Sequence, residues 1–218
     1  MRTRDKIIQA SIELFNQHGE RQITTNHIAA HLGISPGNLY YHFRNKNDII
    51  VNIFAEYTQL LDHSFKPPSD EEDVLANFAN YFDSIFELMW RFNFLYANLP
   101  DILARSEDLQ KKYSDVHEHL IDKIINLVTW LKQNDIVEID DEDIPGFANA
   151  LKLTVTFWVS YLKVQAPNVT INKSKAYEGV LMILLQFKPY INAAALGEIK
   201  RLKEHYEALV EKYKDQEV

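Results

Sequence analysis

Apolar residues return at intervals of three and four along most of the 218-residue chain, the period of helices that turn one face to a core. Ile7, Ile8, Ser11, Ile12, Leu14 and Phe15 predict a first helix over about residues 3–18, which Gly19 closes. Two short helices follow. Thr24 or Thr25 caps the first, which runs to Leu32, and Gly33 permits a tight left-handed turn. Ser35-Pro36 starts the second, which ends near Phe43. Asn45 or Asn47 caps a fourth helix, with a continuous apolar stripe of Ile49, Ile50, Ile53, Phe54, Tyr57, Leu60 and Leu61. The run Lys-Pro-Pro-Ser-Asp at 66–70 then breaks the pattern and marks the boundary between a head, 1–63, and a body, 64–218. In the body the spacing predicts helices over about 71–92, 101–132 with an interruption near Ser106, 145–166, 173–188 and 193–214. Pro100, Pro145, Pro167, Pro189 and the acidic loop at 135–143 separate them, and no internal repeat is visible.

Six glycines and seven prolines are too few for the turns of an all-β chain, which agrees with an all-α reading. The absence of cysteine removes disulfides, thiolate metal sites and thiol nucleophiles. With no signal-peptide core near the N-terminus and no apolar run of about 20 residues, the expectation is a cytoplasmic protein without a membrane partner. Net charge is −8, which by itself argues against nucleic acid, but the charge is unevenly distributed. Residues 1–50 hold six Lys and Arg against four Asp and Glu, a balance of +2, and leave −10 to the rest. A mildly basic head on an acidic body keeps a nucleic-acid contact open.

The head carries the most specific pattern in the chain. A helix-turn-helix needs an apolar bracket between two short helices, a small residue where they approach and a turn that tolerates positive φ. Ile28, Leu32, Ile34 and Leu39 supply the bracket, Ala29 the close approach and Gly33 the turn. His42 departs from the pattern, which asks for an apolar residue there. The second helix would enter a major groove with its N-terminal end leading. Ser35, Pro36, Gly37 and Asn38 keep that end short enough for the backbone to approach base edges, with the Asn38 amide able to bond a base. Tyr40, Tyr41 and His42 can reach phosphates or thymine methyls, while Thr25 and Lys46 at helix starts favour phosphate and Asn26 lies beside them.

Residues 23–46, ITTNHIAAHLGISPGNLYYHFRNK, resemble the DNA-binding signature of TetR/AcrR regulators, and DKIIQASIELFNQHG at 5–19 is similar to that family's first helix. The resemblance covers about the first 55 to 60 residues. It implies an all-α fold: an N-terminal three-helix helix-turn-helix DNA-binding domain followed by a larger helical ligand-binding and dimerisation domain. It implies phosphate contacts from Thr25, Tyr40 or Tyr41, His42 and Lys46, and base contacts near Pro36, Gly37 and Asn38. Where family members often carry a basic residue to read guanine, this chain offers Asn26 and His27. FELMWRFNFLYANLPDIL at 86–103 is similar to one subgroup of the family's C-terminal domains. By the same resemblance, the helices near 145–166 and 173–188 form a four-helix dimer interface, with Trp158, Tyr161, Leu181 and Leu185 as packing residues.

The expected function is therefore that of a sequence-specific regulator, a homodimeric repressor released from a palindromic double-stranded operator by a small apolar or aromatic effector. The alternatives are an activator or architectural DNA binder with no small effector, and a helical protein-interaction module. Phe82, Phe86, Trp90, Tyr96, Trp130 and Trp158 are the candidate effector-pocket residues, although an aromatic stripe at helical spacing also builds an ordinary core. His117 and His119 point about 200° apart on a helix, so a shared metal is not expected, and His18, His63 and His205 read as surface residues. No nucleophile elbow, phosphate loop or His-Glu-x-x-His is present, so neither catalysis, a cofactor nor a metal is expected.

Overall fold

The computed structural model describes residues 2–64, 74–166 and 169–215, and those residues form ten α-helices, two single-turn 3₁₀ segments and one isolated β-bridge. The breaker at 66–70, the start of the helix expected over 71–92 and Pro167 lie outside the described residues. The head is α1 (Thr3–His18), α2 (Thr25–His31), α3 (Pro36–His42) and the start of α4 (Lys46–Ser64). The body is α5 (Val74–Arg91), α6 (Asn93–Ala104), α7 (Glu107–Gln133), α8 (Ile144–Gln165), α9 (Lys173–Phe187) and α10 (Leu196–Lys212). None of these helices is long and apolar enough to cross a membrane.

Local signals set the helix ends. Gly19 ends α1 at φ +83° and Gly33 turns the chain between α2 and α3 at φ +65°, a region that L side chains avoid. Thr24 caps α2 through the His27 amide at 3.3 Å, and Ser35 caps α3 through the Asn38 amide at 3.2 Å with Pro36 in the first turn. Asn45, the first of its two candidates, accepts the Asp48 amide at 2.9 Å at the head of α4. Inside the head, Ile7, Phe15, Ile28, Leu39, Phe43 and Ile49 are almost wholly buried. That shared bracket fixes the angle between α2 and α3.

Pro100 departs from expectation: it sits inside α6 rather than between helices. A proline lacks the N–H that would bond the carbonyl four residues back. That carbonyl belongs to Tyr96, and the Ser160 hydroxyl of α8 donates to it at 2.6 Å. The chain bends at Asn98 (φ −131°, ψ 18°), and α7 begins anew at Ser106, whose hydroxyl accepts the Leu109 amide at 3.3 Å. Pro145 likewise lies in the first turn of α8, and Pro189 in a 3₁₀ turn after α9.

In the body α9 packs against α10, α5 and α8. Gly179 lets α9 approach α8 closely, since a Cβ there would lie 2.5 Å from Trp158 Cδ1. The Trp158 indole N–H donates to the Lys175 carbonyl at 2.8 Å.

Candidate nucleic-acid interface and inner cavity

The outer face of the head is the edge of α3 and the first turn of α2. Leu39 is buried against Ile28 and Ala29 in the shared core, so the residues between its turns point outward. Asn26, Ser35, Pro36, Gly37, Asn38, Tyr40 and Tyr41 are exposed, Tyr41 to 84%. Thr25 and His42 are half-buried. The Thr25 and Tyr40 hydroxyls hydrogen-bond each other at 3.0 Å, which joins the start of α2 to the middle of α3. His42 meets Tyr41 edge-on at 5.1 Å, and Arg4 lies over the Phe43 ring at 5.0 Å, closing the underside. The helix-turn-helix thus presents short polar groups at the leading end of α3, with two tyrosines behind them.

Lys46 turns its side chain toward the head's own interior. Its ammonium lies 2.9 Å from the Glu20 carboxylate and donates to the Glu20 and Ile23 carbonyls at 2.9 and 3.1 Å. Its three donors are thus directed at acceptors of the head itself.

Glu20 organises a charge cluster that the sequence pattern does not reveal. Its side chain is 0% exposed and accepts from Lys46 on α4 and from Arg105, at the end of α6, at 2.7 Å. Asp101, also on α6, pairs with both Arg105 and Arg21. Burial alone would raise the Glu20 carboxyl, but Arg105 and Lys46 hold it below the usual carboxylate range. A second bond set lies nearby. The Asn16 amide group donates to the Arg91 carbonyl at 2.9 Å, its oxygen accepts from the Phe94 amide at 3.0 Å, and Phe15 meets Phe94 edge-on at 5.1 Å. Head and body are therefore joined through α6.

An inner cavity of about 50 Å³ lies among α4 to α9. Tyr57, Phe82, Tyr96, His117, Lys152 and Thr156 are among its walls. The Tyr57 and Tyr96 hydroxyls meet at 3.4 Å, and burial raises both, Tyr57 to about 12. Of the six expected pocket residues, Phe82 and Tyr96 line this cavity and four do not. Phe86 stacks on Tyr177 at 3.9 Å and, with Trp90, borders an outer groove between α1 and α5. Trp130 lies half-buried near the end of α7, and Trp158 packs on Gly179 and stacks with Tyr161 at 5.7 Å. The period-3.6 signal is the same on all these faces, so it does not tell an inner wall from an outer one.

His117, weighed in the sequence only as a metal ligand, lines the cavity. It is 5% exposed, stacks on Tyr113 at 3.8 Å, and neither ring nitrogen has a hydrogen-bond partner among the described residues. Burial and the nearby Lys152 push it down to about 4. The unfolded histidine takes up a proton below about pH 6.5 and the folded one does not until about 4, so stability falls as pH drops through that window, by up to about 1.4 kcal/mol per pH unit. Urea unfolding at about pH 7 and about pH 5 should show a smaller acid loss for His117→Phe than for the parent chain. Equal losses would contradict this account of the site.

The family described as "Bacterial regulatory proteins, tetR family" matches residues 7–53, and the one described as "TetR: Bacterial transcriptional repressor" matches residues 56–199. A solved TetR-family transcriptional regulator from Marinobacter aquaeolei VT8 is 36% identical, with 94% of this chain and 99% of that one covered and a TM-score of 0.84. The HTH-type transcriptional regulator QacR of Staphylococcus aureus is 27% identical over 171 residues, 72% of this chain and 86% of that protein. The tetracycline repressor protein class C of Escherichia coli is 33% identical over 70 residues, and the match spans 32% of each chain.

Proposed function

The chain belongs to the TetR family of bacterial transcriptional regulators, and on that footing we propose that it is a homodimeric repressor whose two heads read an inverted-repeat operator. A head of residues 1–63 grips DNA and a body of 64–218 pairs the protomers and senses an effector. The observation that carries this reading is the exposed edge of α3 held on the buried Ile28 and Leu39. The leading residues Ser35, Pro36, Gly37 and Asn38 are accessible for base contact, and Thr25, Asn26, Tyr40, Tyr41 and His42 flank them for phosphates. Two such helices related by a dimer axis would sit about 34 Å apart, one turn of DNA.

The dimer surface is the outer face of α8 and α9. Leu153, Phe157, Tyr161 and Val164 follow one stripe of α8 at steps of four, four and three, and all are exposed. Met182 and Leu185 continue the patch on α9, which the Gln186 amide bonds to Thr154 at 2.9 Å. Tyr161 and Leu185 lie in this patch, whereas Trp158 and Leu181 are half-buried against their own protomer. A contiguous apolar face of this kind is what a second copy would cover.

Release follows from the cavity. An occupant that favours a body shape with α6 displaced draws on Glu20 and Asn16 and alters the spacing of the heads, and only such differential binding shifts the equilibrium.

Two substitutions test the reading head. Asn38→Ala should weaken operator binding by about 1–3 kcal/mol and leave binding to random duplex unchanged, while Tyr41→Ala should weaken both alike. Titration of labelled duplexes by fluorescence anisotropy measures all four affinities. Full affinity in both variants would place the DNA contact elsewhere.

A further inference from the structure

We infer that the inner cavity takes an amphipathic organic acid, its carboxylate seated between His117 and Lys152 and its apolar body among Phe78, Phe82, Ile124 and Phe187. This deepens the reading of the cavity as the effector site and rests on it.

The walls divide into two chemistries. Most of the lining is hydrocarbon and aromatic ring, and an isolated polar ligand gains little there. On one side α7 and α8 bring His117, Lys152 and Thr156 together. Lys152 Nζ donates to the His117 carbonyl at 3.2 Å, which places the ammonium beside the imidazole's own residue. Among the described residues Lys152 forms no ion pair, and no Asp or Glu lines the cavity. A cation at an apolar wall without a counter-charge, next to a buried imidazole whose two nitrogens are both unpartnered, is half of a charge-assisted pair. A carboxylate completes it. It accepts from the half-buried Lys152 ammonium and from the imidazole N–H, and the bond to the buried imidazole gains more there than in water. A neutral alcohol can reach the same two groups but brings no charge to the ammonium, and an alkylammonium meets a like charge.

The size of the cavity bears on regulation. About 50 Å³ is roughly a third of the ~150 Å³ that holds a benzene ring in an engineered apolar cavity. Any acid with a chain or ring must therefore push the walls apart, and it binds the opened body better than the closed one. The wall that carries Tyr96 is α6, which is also tied to the head through Arg105 and Glu20.

The experiment uses the full chain with hexanoate, octanoate and decanoate, the matching alcohols and the matching alkylammonium ions. Thermal shift and release of labelled operator are read for each. The expected result is that carboxylates bind about tenfold or more tightly than alcohols of equal length and alkylammonium ions not at all. Lys152→Met keeps the apolar stem and should erase the carboxylate advantage, and Lys152→Arg should restore it. Alcohols binding as tightly as carboxylates, or an advantage that survives in Lys152→Met, would overturn the head-group assignment and leave the cavity as an effector site. No binding by any of the three series would overturn the effector reading of the cavity together with this inference.

Discussion

Glu20→Ala should lower stability by about 3 kcal/mol, and the melting temperature of a chain this size by about 6–12 °C. The Glu20 side chain has no exposed surface, while Lys46 and Arg105, both partly exposed, each direct an ammonium or guanidinium at it. Removing the carboxylate leaves two cations facing each other across a small void, and the cost of a broken buried pair is mostly that of the charges left behind. Lys46 keeps its two carbonyl acceptors and Arg105 keeps Asp101, which limits the loss. Glu20→Gln, with similar shape and no charge, should fall between the parent and the alanine variant. Differential scanning calorimetry measures the series. A drop under about 1 kcal/mol would mean that the cluster is solvated and that α6 is not tied to the head through it.

Leu153→Asp combined with Leu185→Asp should convert the dimer to a monomer and weaken operator binding by about 10²- to 10⁴-fold, because the second head then no longer benefits from the first being bound. Both side chains are more than half exposed in the single protomer, so the helices themselves should survive. Sedimentation velocity reads the mass, circular dichroism the helix content, and anisotropy the affinity. A folded double variant that remains dimeric would move the interface away from the α8–α9 face.

The head was legible in the sequence because its determinants are local. Gly33, the Ser35-Pro36 start and the apolar bracket of Ile28 and Leu39 lie within fifteen residues of one another, and each constrains backbone geometry directly. The body was legible as helices but not as a site. Pro100 reads as a separator because a proline inside a helix leaves an orphan carbonyl, and the group that repairs it, Ser160, is sixty residues away in sequence. The aromatic residues share one period although Tyr96 faces the cavity, Trp90 an outer groove and Trp158 the neighbouring glycine. His117 and Lys152 come from different helices, and Lys46 meets Glu20 only after the head folds. These are long-range pairings that spacing does not encode.

The central claim is that two copies of this head read one inverted repeat. Selection of bound sequences from a random duplex pool by the purified chain, at low and at moderate salt, tests it most directly. The account predicts enrichment of an inverted repeat with half-sites about ten base pairs apart, retained at the higher salt. Weak retention that salt abolishes, with no motif enriched, would contradict it.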